Sequence, residues 1–147
     1  MLALAVAFAL AAPLFGADMA SALVDQMNRE RAAHGLKPLH VNDELSAAAL
    51  DRIDDMFAKH YFSHVSPDGI QPWQWADKRG YDYHAMGENL AVGYPSAESV
   101  VDGWMHSPKH RDNVLRPVFN EVGIAVVPAS PQRPFHGPTV VALYGER

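Results

Sequence analysis

The chain has 147 residues, with 12 Lys and Arg against 17 Asp and Glu, for a formal net charge of −5. A single domain of that size buries a core unaided, and with no cysteine a disulfide framework, a thiolate metal site and a cysteine nucleophile are all excluded. Its basic residues form no stripe, which argues against nucleic acid as a partner, whereas the 8 histidines supply metal ligands and proton shuttles near neutral pH.

Met1 to Ala12 is an unbroken apolar run, too short to cross a bilayer and as long as the hydrophobic region of a secretory leader. Residues 1–19 are therefore expected to be a leader, or else an apolar N-terminal helix, and residues 20–147 the folded domain. The expected location is extracytoplasmic, secreted or periplasmic, with no transmembrane segment in the mature protein. Without cysteine a lipoprotein anchor at a processed N-terminus is not expected.

From Ala20 the pattern turns globular. "SALVDQMNRERAAHG" predicts a helix burying Leu23, Met27 and Ala33 and stopping at Gly35. A second helix, capped by Asn42 or Asp43, carries the apolar stripe Leu45, Ala49, Ile53, Met56 and Phe57. Continuing that stripe in steps of four leads toward His60 and His64, which could form a two-histidine ligand pair. "PWQWADKR" reads as a short helix with proline in its first turn, closed by Gly80. "GENLAVG" is a brief extended piece. Glu88 within it is costly unless paired, metal-bound or turned to solvent.

A further helix starts at Ser96, holds Glu98 in its first turn, and buries Val100, Val101 and Trp104. "EVGIAVV" and "TVVALYG" are strand-length β-branched runs joined by the proline-rich loop "PASPQRPFHGP", as in an antiparallel pair. Helices first and strands last imply an α+β domain whose sheet is covered on both faces.

Between Trp104 and Leu115, "WMHSPKHRDNVL" contains a helix break. Pro108 is suited to the first position of a new helix, which makes Ser107 its N-cap, with the hydroxyl accepting from a first-turn amide. His110 then lies in the positive end of the helix dipole, which favours a neutral imidazole. A neutral ring suits metal binding, proton transfer or a simple hydrogen bond. His106 reads as a solvated residue near a helix C-terminus. "HYFSH" has no Glu after its first His, which excludes a zinc protease of the HExxH type. There is no G-x-S-x-G elbow and no glycine-rich phosphate loop.

"HYFSH", "GENLAVG", "WMHSPKHRDNVL" and "EVGIAVV", with the opening "LVDQMNRERAAHGLKPLHVNDELSAAA", resemble in order and spacing the bacterial branch of the CAP superfamily, or SCP domain. That group includes cysteine-rich secretory proteins, antigen 5 and plant pathogenesis-related proteins. The resemblance runs from about Leu23 onward. It implies an α-β-α sandwich around a central, mainly antiparallel sheet. It also implies a cavity lined by two His and two Glu that holds a divalent cation such as zinc in several members. Carried over, the cavity residues are His64, Glu88 and His110, the expected metal ligands, while Ser107 stands where eukaryotic members have the second Glu. Asn89, Arg111 and Asn113 match structural positions that hold loops through backbone hydrogen bonds.

Three functions follow from these residues. The first is a non-catalytic module that binds a lipid or another cell-envelope component. The second is a metal-dependent hydrolase in which His64 and His110 hold Zn²⁺ and Glu88 serves as ligand or base. The third is a structural envelope protein that uses its surface alone.

Overall fold

The computed structural model describes the backbone of residues 8–147 and the side chains from residue 15 onward. Of residues 1–19, expected to be a leader or an apolar helix, 1–7 lie outside the described residues and 8–19 belong to helix α1. Helix α1 (Phe8–Ala33) buries Leu23 and Met27 completely and also Met19. The third member of its inner row is Arg31 rather than Ala33, because steps of four from Leu23 reach Met27 and then Arg31. That guanidinium is met by the carbonyls of Lys37, Val114, Arg116 and Phe119 at 2.8–3.1 Å. Gly35, in the left-handed region at φ 69°, ends the helix as predicted.

A two-residue strand β1 (His40–Val41) follows, then α2 (Asp43–Lys59), which Asn42 caps through a bond from the Leu45 N–H at 2.9 Å. The short helix α3 (Pro72–Lys78) precedes strand β2 (Ala85–Val92). Helices α4 (Ala97–Met105) and α5 (Pro108–Val114) come next, separated at the Ser-Pro break. Strands β3 (Glu121–Val127) and β4 (Thr139–Glu146) complete the chain. The sheet order is β1-β3-β4-β2; β4 is antiparallel to both of its neighbours, and only β1 and β3 run parallel.

Alternation along the strands divides the core into two layers. In β4, Val140, Ala142 and Tyr144 face α1, α4 and α5, while Val141 and Leu143 face α2 and α3. The central strand is thus covered on both faces, in the expected three-layer α-β-α arrangement. One contact is close enough to dictate a residue. A Cβ on Gly123 would lie 2.1 Å from the Leu45 carbonyl carbon and 2.2 Å from the Ser46 nitrogen. The first turn of α2 therefore rests directly on β3. Among the described residues no helix is long and apolar enough to cross a membrane.

Candidate functional site

Strand β2 lies at an edge of the sheet, so groups from both helical layers reach it there. Glu88 pairs across to Leu143 of β4, and its side chain, 2% exposed, leaves the sheet on the α2 face. Arg52 of α2, completely buried, meets it with Nε 3.1 Å from Oε2. Glu88 is thus paired, the first of the ways to offset the cost of burying a carboxylate.

Arg52 also shapes the loop that carries His64. Helix α2 ends at His60, whose backbone turns left-handed (φ 54°, ψ 50°) and donates to the Met56 carbonyl. The helical stripe stops there, and His60 is exposed and does not line the cleft. The chain then folds back over the guanidinium. Arg52 donates to the Tyr61 hydroxyl at 2.6 Å, to the Ser63 carbonyl, and to the His64 carbonyl at 2.6 Å. The Tyr61 hydroxyl in turn donates a hydrogen bond to Asp55 Oδ2 at 2.5 Å. Burial and the Asp55 contact push the Tyr61 phenol up to about 12. With its backbone held, the His64 ring places Nδ1 2.8 Å from Glu88 Oε1 while its side chain stays 55% exposed.

His110 arrives from the other layer. Its carbonyl accepts from Asn89 Nδ2 at 3.0 Å, and Asn113 Nδ2 donates to both the Glu88 carbonyl (3.0 Å) and Asn89 Oδ1 (2.9 Å). Asn89 and Asn113 thus fix α5 against the edge strand, as their expected structural roles require. Arg111 does not share that role. It is exposed, and its nearest side-chain partner is the His34 ring at 3.4 Å. Ser107 also departs from expectation: its hydroxyl caps no amide but lies 2.9 Å from His110 Nδ1. The Arg111 N–H bonds to the Ser107 carbonyl instead. Burial, and secondarily the nearby His64, hold the His110 pKa below its ordinary value, which favours the neutral ring. His106 is exposed, as predicted.

His64, Glu88, Ser107, Lys109, His110 and Asn113 line one open cleft of about 610 Å³. Within it, each imidazole uses Nδ1 for a protein partner, and Nε2 has none among the described residues. Glu88 itself is poorly placed as a metal ligand. Both Glu88 oxygens are engaged, Oε1 by His64 and Oε2 by Arg52. A cation drawn to that carboxylate would also face the guanidinium. No group of three or more His, Asp or Glu able to hold an ion assembles among the described residues. Ser107 and His110 have the separation of a nucleophile and its base, but no carboxylate backs the ring at Nε2.

The sequence reading missed Arg52. The available signal was its place beside Ile53 and one turn after Ala48 and Ala49, on the buried side of a helix where a charge requires partners.

Compared with known proteins, residues 24–142 match the cysteine-rich secretory protein family, CAP. The chain is 40% identical over 105 residues to YkwD of Bacillus subtilis, a match covering 71% of this chain and 41% of that protein. It is 30% identical over 104 residues to the membrane protein YlbC of the same organism, covering 71% and 30%. The chain thus spans less than half the length of these curated relatives. Among solved structures it is similar to an extracellular SCP-domain protein of Bacillus anthracis, with TM-score 0.81 and 20% identity over 92% of this chain and 43% of that one. It is also similar to an outer surface protein of Borrelia burgdorferi, with TM-score 0.79 and 21% identity over 88% and 93%. At these identities the likeness is one of fold.

Proposed function

From the premise that the chain belongs to the cysteine-rich secretory protein family, CAP, we propose that it acts outside the cytoplasm as a binding module that holds a cell-envelope ligand in the cleft between His64 and His110 without covalent chemistry. The observation that carries this reading is the set of three buried or half-buried groups behind the cleft. Arg52 fixes Glu88, Glu88 fixes the His64 ring, and Ser107 fixes the His110 ring, which leaves two oriented Nε2 atoms toward an open cleft. Preorganised polar groups lining a concave site are what a binding pocket needs. The extracytoplasmic location draws support from proteins of the same fold, one extracellular and one at an outer surface.

A hydrolase reading asks Glu88 to ligate a metal or take a proton from water, and both of its oxygens are already held. The binding reading asks nothing more of it than it already does.

The test is a thermal-shift titration of the purified protein with envelope lipid extract and, separately, with soluble cell-wall fragments. One extract should raise the melting temperature saturably, and His64→Ala combined with His110→Ala should abolish the rise while the variant stays folded. An unchanged rise in the double variant, or none with either extract, would remove the cleft as the binding site. Fractionation that finds the protein in the cytoplasm would overturn the location.

A further inference from the structure

A second, smaller cavity of about 140 Å³ adjoins the cleft, walled by Pro72, Trp73, Met86 and Gly87 and sharing His64 and Glu88 with it. The two spaces are neighbours across His64 and Glu88, and together they make a groove. Trp73 is the unexplained feature of this groove. Helix α3 uses Trp75 and Ala76 for the core, at 7% and 0% exposure, whereas Trp73 one position past proline is 45% exposed. The third tryptophan, Trp104, is 2% exposed and donates its indole N–H to the Leu90 carbonyl. Trp73 has no comparable packing role, and its large apolar face stands in water beside hydrogen-bonding groups.

That combination selects a ligand. A hydrocarbon chain wants an unbroken apolar wall, and although much of the exposed lining of the wider cleft is apolar, it is interrupted by the two imidazoles, Ser107, Lys109 and Asn113. A pyranose ring matches both parts, since its C–H face lies flat on an indole while its equatorial hydroxyls both donate and accept. With Nδ1–H donated to Glu88, the neutral His64 ring presents Nε2 as an acceptor, whereas the His110 Nε2 can donate or accept according to the role its Nδ1 takes toward the Ser107 hydroxyl. The Glu88 charge is balanced by Arg52, so the groove is not closed to a sugar bearing a carboxylate.

We propose that the groove binds a linear pyranose glycan of the cell envelope, one ring stacked on Trp73 and the next hydrogen-bonded by His64 and His110. This rests on the reading of the cleft as a binding site and names the chemistry of its ligand.

The experiment is calorimetric titration of the intact protein with chitotetraose, with tryptophan fluorescence in parallel. The same protein is titrated with vesicles of phosphatidylglycerol and phosphatidylethanolamine. The expected result is saturable chitotetraose binding that shifts the Trp73 emission and weakens about tenfold in Trp73→Ala and in His64→Ala. Trp73→Phe should retain most of the affinity, and unchanged near-ultraviolet dichroism of the other tryptophans would establish that the variants fold. Glycan binding indifferent to Trp73→Ala overturns the stacking platform. Vesicle binding that depends on His64, with none to the glycan, overturns the glycan while leaving the cleft as a site. Loss of every His64-dependent signal overturns both.

Discussion

Arg52 carries more of the site than any residue that touches the cleft. Four hydrogen bonds from its guanidinium reach Glu88, Tyr61 and the carbonyls of Ser63 and His64, so one side chain neutralises a buried acid and shapes a loop. Replacing it by Met leaves the Glu88 carboxylate buried, with only His64 beside it, and should cost about 3–5 kcal/mol in denaturant unfolding. Arg52→Lys should recover little, because an ammonium cannot span those acceptors. The same geometry bears on metals. With both Glu88 oxygens engaged and both imidazole Nε2 atoms free, any zinc-dependent rise in melting temperature should be lost in His64→Ala combined with His110→Ala and persist in Glu88→Gln. A zinc-dependent rise that vanishes in Glu88→Gln would show the carboxylate leaving Arg52 for the ion. His64, Glu88 and His110 were named together through the resemblance of their motifs to the family, and each lies in a short local stretch, whereas their sharing of one cleft is set by the fold. Arg52 was not legible, since its meaning lies in a partner 36 positions away.

At the scale of elements, the legible features were those set by neighbouring residues. The Asn42 cap, the glycine stop after α1, the start of α4 at its Ser96 cap and the antiparallel β3–β4 pair each follow from local chemistry. Strand order was not legible. β4 pairs with β2 as well as β3, and the nearly continuous apolar run that lets it sit centrally says nothing about which strands flank it. Steps of four carried on from the α2 stripe lead to His60 and His64, while the backbone leaves the helix at His60. The Ser107 hydroxyl likewise had two possible partners, a backbone amide and the ring three residues on, and only the fold selects the ring. One element contact is open to a direct test. Gly123→Ala places a methyl group inside the backbone of the first turn of α2, which a side-chain shift cannot relieve. The expected loss is at least about 3 kcal/mol by denaturant unfolding, at the upper end of overpacking costs. A loss below about 1 kcal/mol would mean that α2 does not rest on β3 as described.

Across the whole molecule, side chains from distant parts of the chain converge on the first residue of β3. Glu121 accepts from Asn42 at the start of α2 (3.3 Å), from the Tyr81 hydroxyl ahead of β2 (2.6 Å) and from Arg147 after β4 (3.1 Å). A cap, a connecting loop and the last residue of the chain are thus held by one carboxylate. Burial acts to raise its pKa, but the hydrogen bonds from Arg147 and Tyr81 outweigh it, helped by the Arg147 charge and by Asn42, and the net shift is below its ordinary 4.5. In the unfolded chain the group binds its proton more readily, so the folded state gains stability wherever Glu121 is ionised. That contribution is complete above pH 4.5 and disappears as the pH falls through the lower folded-state value. Because the side chain is 24% exposed, Glu121→Gln should cost about 1 kcal/mol at pH 7. The gap between variant and wild type should then close as the pH is taken below 4.5 in a series of urea titrations. A gap that persists unchanged into strong acid would mean that these three attachments depend on the shape of the side chain and not on its charge.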